Sequence, residues 1–107
     1  MRFLLLLCAD ETTAMVDISA GCAEWSEALR QKNALVTTLG LYPPDTAVTV
    51  SVRDGEVLMT DGPFAETKEQ MAGLTVIEAP SVAEARRIAA THPWAAVGTI
   101  EVRRILD

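Results

Sequence analysis

A chain of 107 residues has the length of one domain. Half of its residues are hydrophobic, yet only two Phe, two Trp and one Tyr are among them, so the core has to be built mainly from aliphatic side chains. The formal net charge of −6, with no basic block, argues against nucleic acid as a direct partner.

The first residues need care because Met1-Arg2 followed by "FLLLLCA" has the look of a miniature leader. The apolar run is short and Asp10-Glu11 follow at once. That is marginal for a secretory segment and far short of a membrane span. The run reads instead as a strand over residues 2–8 buried on both faces. A cytoplasmic location and no membrane partner are the corresponding expectations. Cys8 and Cys22 fit reduced thiols better than a disulfide framework.

Residues 13–32 change period. Met15, Ile18, Cys22, Trp25 and Leu29 recur at helical spacing, with Asp17, Glu24, Glu27 and Arg30 on the other side. Thr12 or Thr13 can cap the start and Asn33 can end the helix. Residues 34–42 return to strand character, and Pro43-Pro44-Asp45 break the chain. In "AVTVSVRDGEVLMTD", Val48, Val50 and Val52 alternate with Thr49, Ser51 and Arg53, and Asp54-Gly55 is the sequence of a type I′ hairpin turn. Such a turn sets Arg53 opposite Glu56, Val52 opposite Val57 and Val50 opposite Met59. Asp61 then falls on the same side as Val57 and Met59, a carboxylate at the end of an apolar face.

Residues 72–79 read as a further strand closed by Pro80. "SVAE" at 81–84 is a capping box opening a helix to about Thr91, with Val82, Ala85, Ile88 and Ala89 inward. Pro93 stops that helix. Gly98 opens a last strand, in which Ile100 and Val102 face one way and Thr99, Glu101 and Arg103 the other. The order is strand, helix, strand, hairpin, strand, helix, strand. With the hairpin taken as an insertion, a ferredoxin-like βαββαβ sandwich of the α+β class over residues 1–107 is expected. Two helices cover only one sheet face. The first strand is apolar on both, so a second copy of the sheet is the expected cover and a homodimer the expected state.

The stretch "VRDGEVLMTDGPFAETKEQMAGLTVIEA", with the tail "HPWAAVGTIEVRRI", closely resembles the DGPF-type proteins of the YCII-related superfamily. The resemblance covers nearly the whole chain. It implies a dimeric α/β barrel of ferredoxin-like protomers. It implies less about function, because most members have no established activity. In the wider superfamily a His on the first helix pairs with an Asp near the Gly-Pro turn. This chain has no His there; its single His is His92, so only the Asp side carries over, as Asp61. The family's gene contexts also imply an association with extracytoplasmic-function sigma factors.

The candidate site therefore gathers around "TDGPFAETKE", residues 60–69. Asp61 is read either as a general base at a cavity mouth, its proton affinity raised by apolar neighbours, or as a cap on the Gly62-Pro63 turn. Lys68 either binds an anionic or carbonyl group of a substrate or pairs with Glu66 or Glu69. "AETKEQ" can form one helical turn with Thr67 near its start, and Thr67 is counted with the substrate-binding residues. Phe64 either packs into the core or a dimer interface or stacks on a ligand. Arg53 is a substrate-binding candidate if its strand face lines a cavity, and otherwise pairs with Glu56. His92 reads as a helix-end residue rather than a base. No Cys/His cluster has metal spacing and no glycine-rich phosphate loop is present, so neither metal nor cofactor is expected. Two functions stay open. One is acid–base chemistry on a small organic acid or lactone. The other is a non-enzymatic accessory or sensing role beside a sigma factor.

Overall fold

The computed structural model describes residues 1–10 and 19–107. The expected caps Thr12 and Thr13 and the helix positions Met15, Asp17 and Ile18 lie outside the described residues. The chain is a mixed α+β structure. Strand β1 spans Arg2–Ala9, helix α1 Ser19–Gln31, β2 Leu35–Gly40, β3 Val48–Arg53, β4 Glu56–Asp61 and β5 Gln70–Glu78. Helix α2 spans Val82–Ala90, the short α3 Trp94–Val97 and β6 Thr99–Arg104. Four strands form one sheet in the order β2-β5-β1-β6, while β3 and β4 form a separate two-stranded ribbon. Every pairing is antiparallel.

The register explains the core. Phe3 lies opposite Ile77 and Leu5 opposite Thr75, and Leu5 also faces Val102 across β6. Phe3, Leu5 and Ile77 are fully buried against Leu29 of α1 and Ala85, Ile88 and Ala89 of α2. Thr75 is buried among them without cost to its hydroxyl, which shares a 2.9 Å hydrogen bond with that of Thr38. The middle of α1 is tied to the end of α2: the Trp25 indole donates to the Thr91 hydroxyl at 2.9 Å.

The first strand is not buried on both faces. Phe3, Leu5 and Leu7 are buried, whereas Leu4, Leu6 and Cys8 are only half-buried, because both helices lie on the other side of the sheet. The half-covered side continues across the sheet through Leu74 and Val76, and Leu39 on β2 faces Leu74.

Several local expectations hold and others shift. Asn33 ends α1 at φ 57°, with the Ala34 amide returning to the Leu29 carbonyl. Ser81 accepts the Glu84 amide at 3.1 Å, as the capping box requires. The Glu84 carboxylate does not reach back, however; it pairs with Arg87 one turn on. Val82 is 50% exposed, whereas Ala85, Ile88 and Ala89 are buried as expected. Beyond Pro93 the chain forms α3 before β6 begins. Among the described residues no helix is long and apolar enough to cross a membrane.

Candidate functional site

The Asp54-Gly55 turn has φ of 53° and 79° and sets the pairs Arg53–Glu56, Val52–Val57 and Val50–Met59. The next pair on the same face is Val48–Asp61, which places Asp61 at the foot of the ribbon. Gly62 follows at φ 100°, a conformation that only Gly adopts cheaply. Its amide donates to the Ala47 carbonyl at 2.7 Å and its carbonyl accepts from the Thr49 hydroxyl at 2.9 Å. The turn is thus held by main chain and Thr49. Asp61 is not its cap.

Residues 62–69 form an irregular loop, not the helical turn that "AETKEQ" suggested. The Gln70 side-chain amide secures it, donating to the Ala65 carbonyl at 2.8 Å and to the Thr67 hydroxyl at 3.0 Å. Nothing in sequence singled out Gln70, because a loop staple of this kind carries no spacing signature. Glu69 turns away and accepts the Thr99 hydroxyl at 3.0 Å.

Between this loop, the Leu41–Asp45 connection and the end of β1 lies an open cleft of about 830 Å³. Asp61, Gly62, Pro63, Glu66, Thr67 and Lys68 line one side, and Leu41, Tyr42, Met71 and Ala9 give it apolar walls. Asp10 and Asp45 also line it, so among the described residues four carboxylates and the ammonium of Lys68 stand on its wall. Among the described residues the side chains of Asp61, Glu66 and Lys68 make no hydrogen bond or ion pair with the protein. No three acids or histidines among the described residues converge on a point where a metal ion could sit.

The structure brings Asp61, Thr67 and Lys68 to one cleft. It does not bring Arg53 or Phe64 there. Arg53 sits at the ribbon tip and donates to the Val52 carbonyl at 2.9 Å, not to Glu56. Phe64 is 91% exposed, which excludes the core. Arg103 pairs with Glu101 at 3.8 Å.

A second, smaller depression of about 460 Å³ lies between Met1, Leu29 and Glu78. Its carboxylates are already engaged: Glu78 by Arg2 and the amino terminus, and Glu84 by Arg87, and these partners hold both below the usual carboxylate range.

His92 is buried and held in place by its neighbours. It is 4% exposed, its ring lies 4.2 Å from that of Trp25, and its Nδ1 accepts the Trp94 amide at 2.9 Å. Burial pushes its pKa down. Cys8 and Cys22 are free and half-buried, and burial raises both thiols, with Glu101 and Glu69 adding to the effect at Cys8.

These features can be set beside known proteins. An uncharacterised protein of Rhizobium meliloti (strain 1021) is 35% identical over 98 residues, covering 88% of this chain and 74% of that protein. The profile of the YCII-related domain matches residues 1–107, from the first strand through the cleft-bearing loop to the last strand, and the chain belongs to that family.

Proposed function

We propose that the chain is a small-molecule-binding protein whose ligand occupies the cleft beside residues 60–68, with Asp61 as its proton acceptor. The observation that carries this reading is the set of unpaired side chains, Asp61, Glu66 and Lys68, on an open cleft that also has apolar walls. All three are exposed, and charged groups without protein partners on a concave, partly apolar surface are available to a ligand. In this reading the Asp61 carboxylate removes a proton from carbon next to a carbonyl, and the Lys68 ammonium polarises the carbonyl oxygen. The wall charges bear on the ligand. A free organic acid would meet four carboxylates and one ammonium, so the neutral lactone is the better fit of the two expected classes.

The fold reading that goes with it is a ferredoxin-like protomer in a dimeric α/β barrel. The strand order β2-β5-β1-β6 with α1 and α2 on one face supports the protomer. The half-covered leucines of the other face support the dimer. A second functional reading, an accessory or sensing role beside an extracytoplasmic-function sigma factor, draws on Phe64. A ring 91% exposed on the cleft's own loop is placed where a partner protein could sense an occupied cleft.

Native mass spectrometry of gently purified protein separates these possibilities. Ligand binding in a dimer predicts a two-chain mass carrying a small organic adduct, lost on Met71→Glu, which puts a charge on the cleft wall. A bare single chain counts against cleft and dimer together. A sensing protein would show ligand-dependent capture of its sigma factor that Phe64→Ala abolishes.

A further inference from the structure

Gln70 opens β5 opposite Ala9 of β1, and both residues line the cleft. Its backbone belongs to the sheet, while its side chain reaches into the loop of residues 62–69. The amide nitrogen Nε2 donates to the Ala65 carbonyl at 2.8 Å, the Thr67 hydroxyl at 3.0 Å and the Thr67 carbonyl at 3.2 Å. Its two N–H groups serve three acceptors, so neither is left over. The reversed amide is excluded by chemistry. Its oxygen would face two carbonyl oxygens, and the Thr67 hydroxyl could not relieve this, because its proton already goes to the Glu69 carbonyl.

The other end of the same amide is open. Among the described residues the Gln70 oxygen Oε1 has no protein partner. Gln70 is half-buried, yet no buried side-chain oxygen or nitrogen lacks a partner among the described residues, so Oε1 is accessible. The loop therefore holds in place an acceptor with two free lone pairs. Little further ordering is needed to use it.

We infer that Gln70 Oε1 is a hydrogen-bond acceptor of the cleft, and that the ligand carries an O–H or N–H group that donates to it. The inference rests on the cleft reading above and names what such a ligand must offer. The unpaired charged groups of the wall agree with it: Asp61 and Glu66 accept, and Lys68 donates. A bare lactone presents only acceptors, its carbonyl and ring oxygens. It can satisfy Lys68 but leaves Gln70 without a donor. Exposed carboxylates keep their water beside such a ligand. A half-buried amide oxygen covered by it does not, and an acceptor stripped of water without replacement lowers affinity. A hydroxyl or amino group on the same ring removes that penalty.

The test titrates three probes into the full chain: γ-butyrolactone, α,β-dihydroxy-γ-butyrolactone and α-amino-γ-butyrolactone. Amide shifts at residues 41–45 and 61–72 report the cleft, and the side-chain carbonyl carbon of Gln70 reports the proposed contact. The expected result is that a donor-bearing lactone binds about tenfold more tightly than the bare one and moves the Gln70 carbon, which the bare lactone leaves in place. An advantage for the dihydroxy compound assigns the donor to a hydroxyl, and an advantage for the amino compound assigns it to an ammonium. Gln70→Lys keeps a donor for the Ala65 and Thr67 carbonyls but has no acceptor, so it should bring the dihydroxy lactone down to the affinity of the bare one. Hydrogen exchange at residues 63–69 checks that the loop holds in this variant; should it open, the carbon shift in the parent decides alone. Equal affinities for the three probes, with shifts in the cleft, overturn the inference and leave the cleft reading standing. A tenfold advantage with the Gln70 carbon unmoved also overturns it, by placing the donor on another group. Shifts outside the cleft, or none with any probe, overturn the cleft reading and this inference with it.

Discussion

The indole N–H of Trp94 donates to the carbonyl of Cys8 at 2.9 Å, joining the connection before β6 to the end of β1. Gly98 makes the approach possible. A Cβ there would come within 2.5 Å of both the Cys8 oxygen and the Trp94 Nε1. The φ of Gly98 is −134°, so the requirement is one of space and not of backbone conformation. Gly98→Ala is expected to cost about 1–3 kcal/mol as the indole is displaced. Trp94→Phe is expected to cost about 1–2 kcal/mol by leaving the Cys8 carbonyl without its donor. Urea titrations of the two variants and their combination should be clearly non-additive, since both act on one contact.

His92 sets a pH dependence of stability. Its pKa is lowered in the folded chain by burial, so the unfolded chain binds the proton more readily. Stability is then fully present above the unfolded value, about pH 6.5, and falls as the pH drops below it. His92→Asn retains an acceptor for the Trp94 amide and removes the titration. Denaturant midpoints measured on either side of that pH should converge for the variant and diverge for the parent.

Asp61 and Lys68 separate a binding site from a structural clamp. Because neither side chain has a protein partner, Asp61→Asn and Lys68→Met should each change stability by less than about 0.5 kcal/mol. A clamp at the seam would lose much more. Thermal melts of both variants at one protein concentration give the answer.

Gln70 is the opposite case. Its amide holds the Ala65 carbonyl and the Thr67 hydroxyl, so Gln70→Leu should release the loop at a cost of about 1 kcal/mol. Hydrogen exchange should quicken at residues 63–69 while the β1 and β5 amides remain protected.

What the sequence disclosed follows from how local each signal is. The ribbon was legible to its last pair, because Asp54-Gly55 and strict alternation fix register within a dozen residues. Asp61 was placed on the apolar face by the same alternation. The Ser81 cap was legible, but the partner of Glu84 was not, since Arg87 competes for it one turn away. Val82 falls on the inward side by helical period yet is half exposed, because period says which residues align and not how deeply each one is covered. The roles of Gly98, Gln70 and the Leu41–Asp45 wall depend on segments distant in sequence, and no periodicity reports those meetings. Arg53 is a candidate only if its strand face lines a cavity, and Phe64 only as a ring that stacks on a ligand, yet the ribbon carries one to its tip and the loop turns the other outward.

The most direct test of the cleft as a ligand site is a chemical-shift titration of the full chain with a neutral lactone and, separately, with the corresponding hydroxy acid. The account predicts amide shifts confined to residues 41–45 and 61–72, larger for the lactone than for the acid. Shifts centred on Met1, Glu78 and Arg87, or none with either compound, would contradict it.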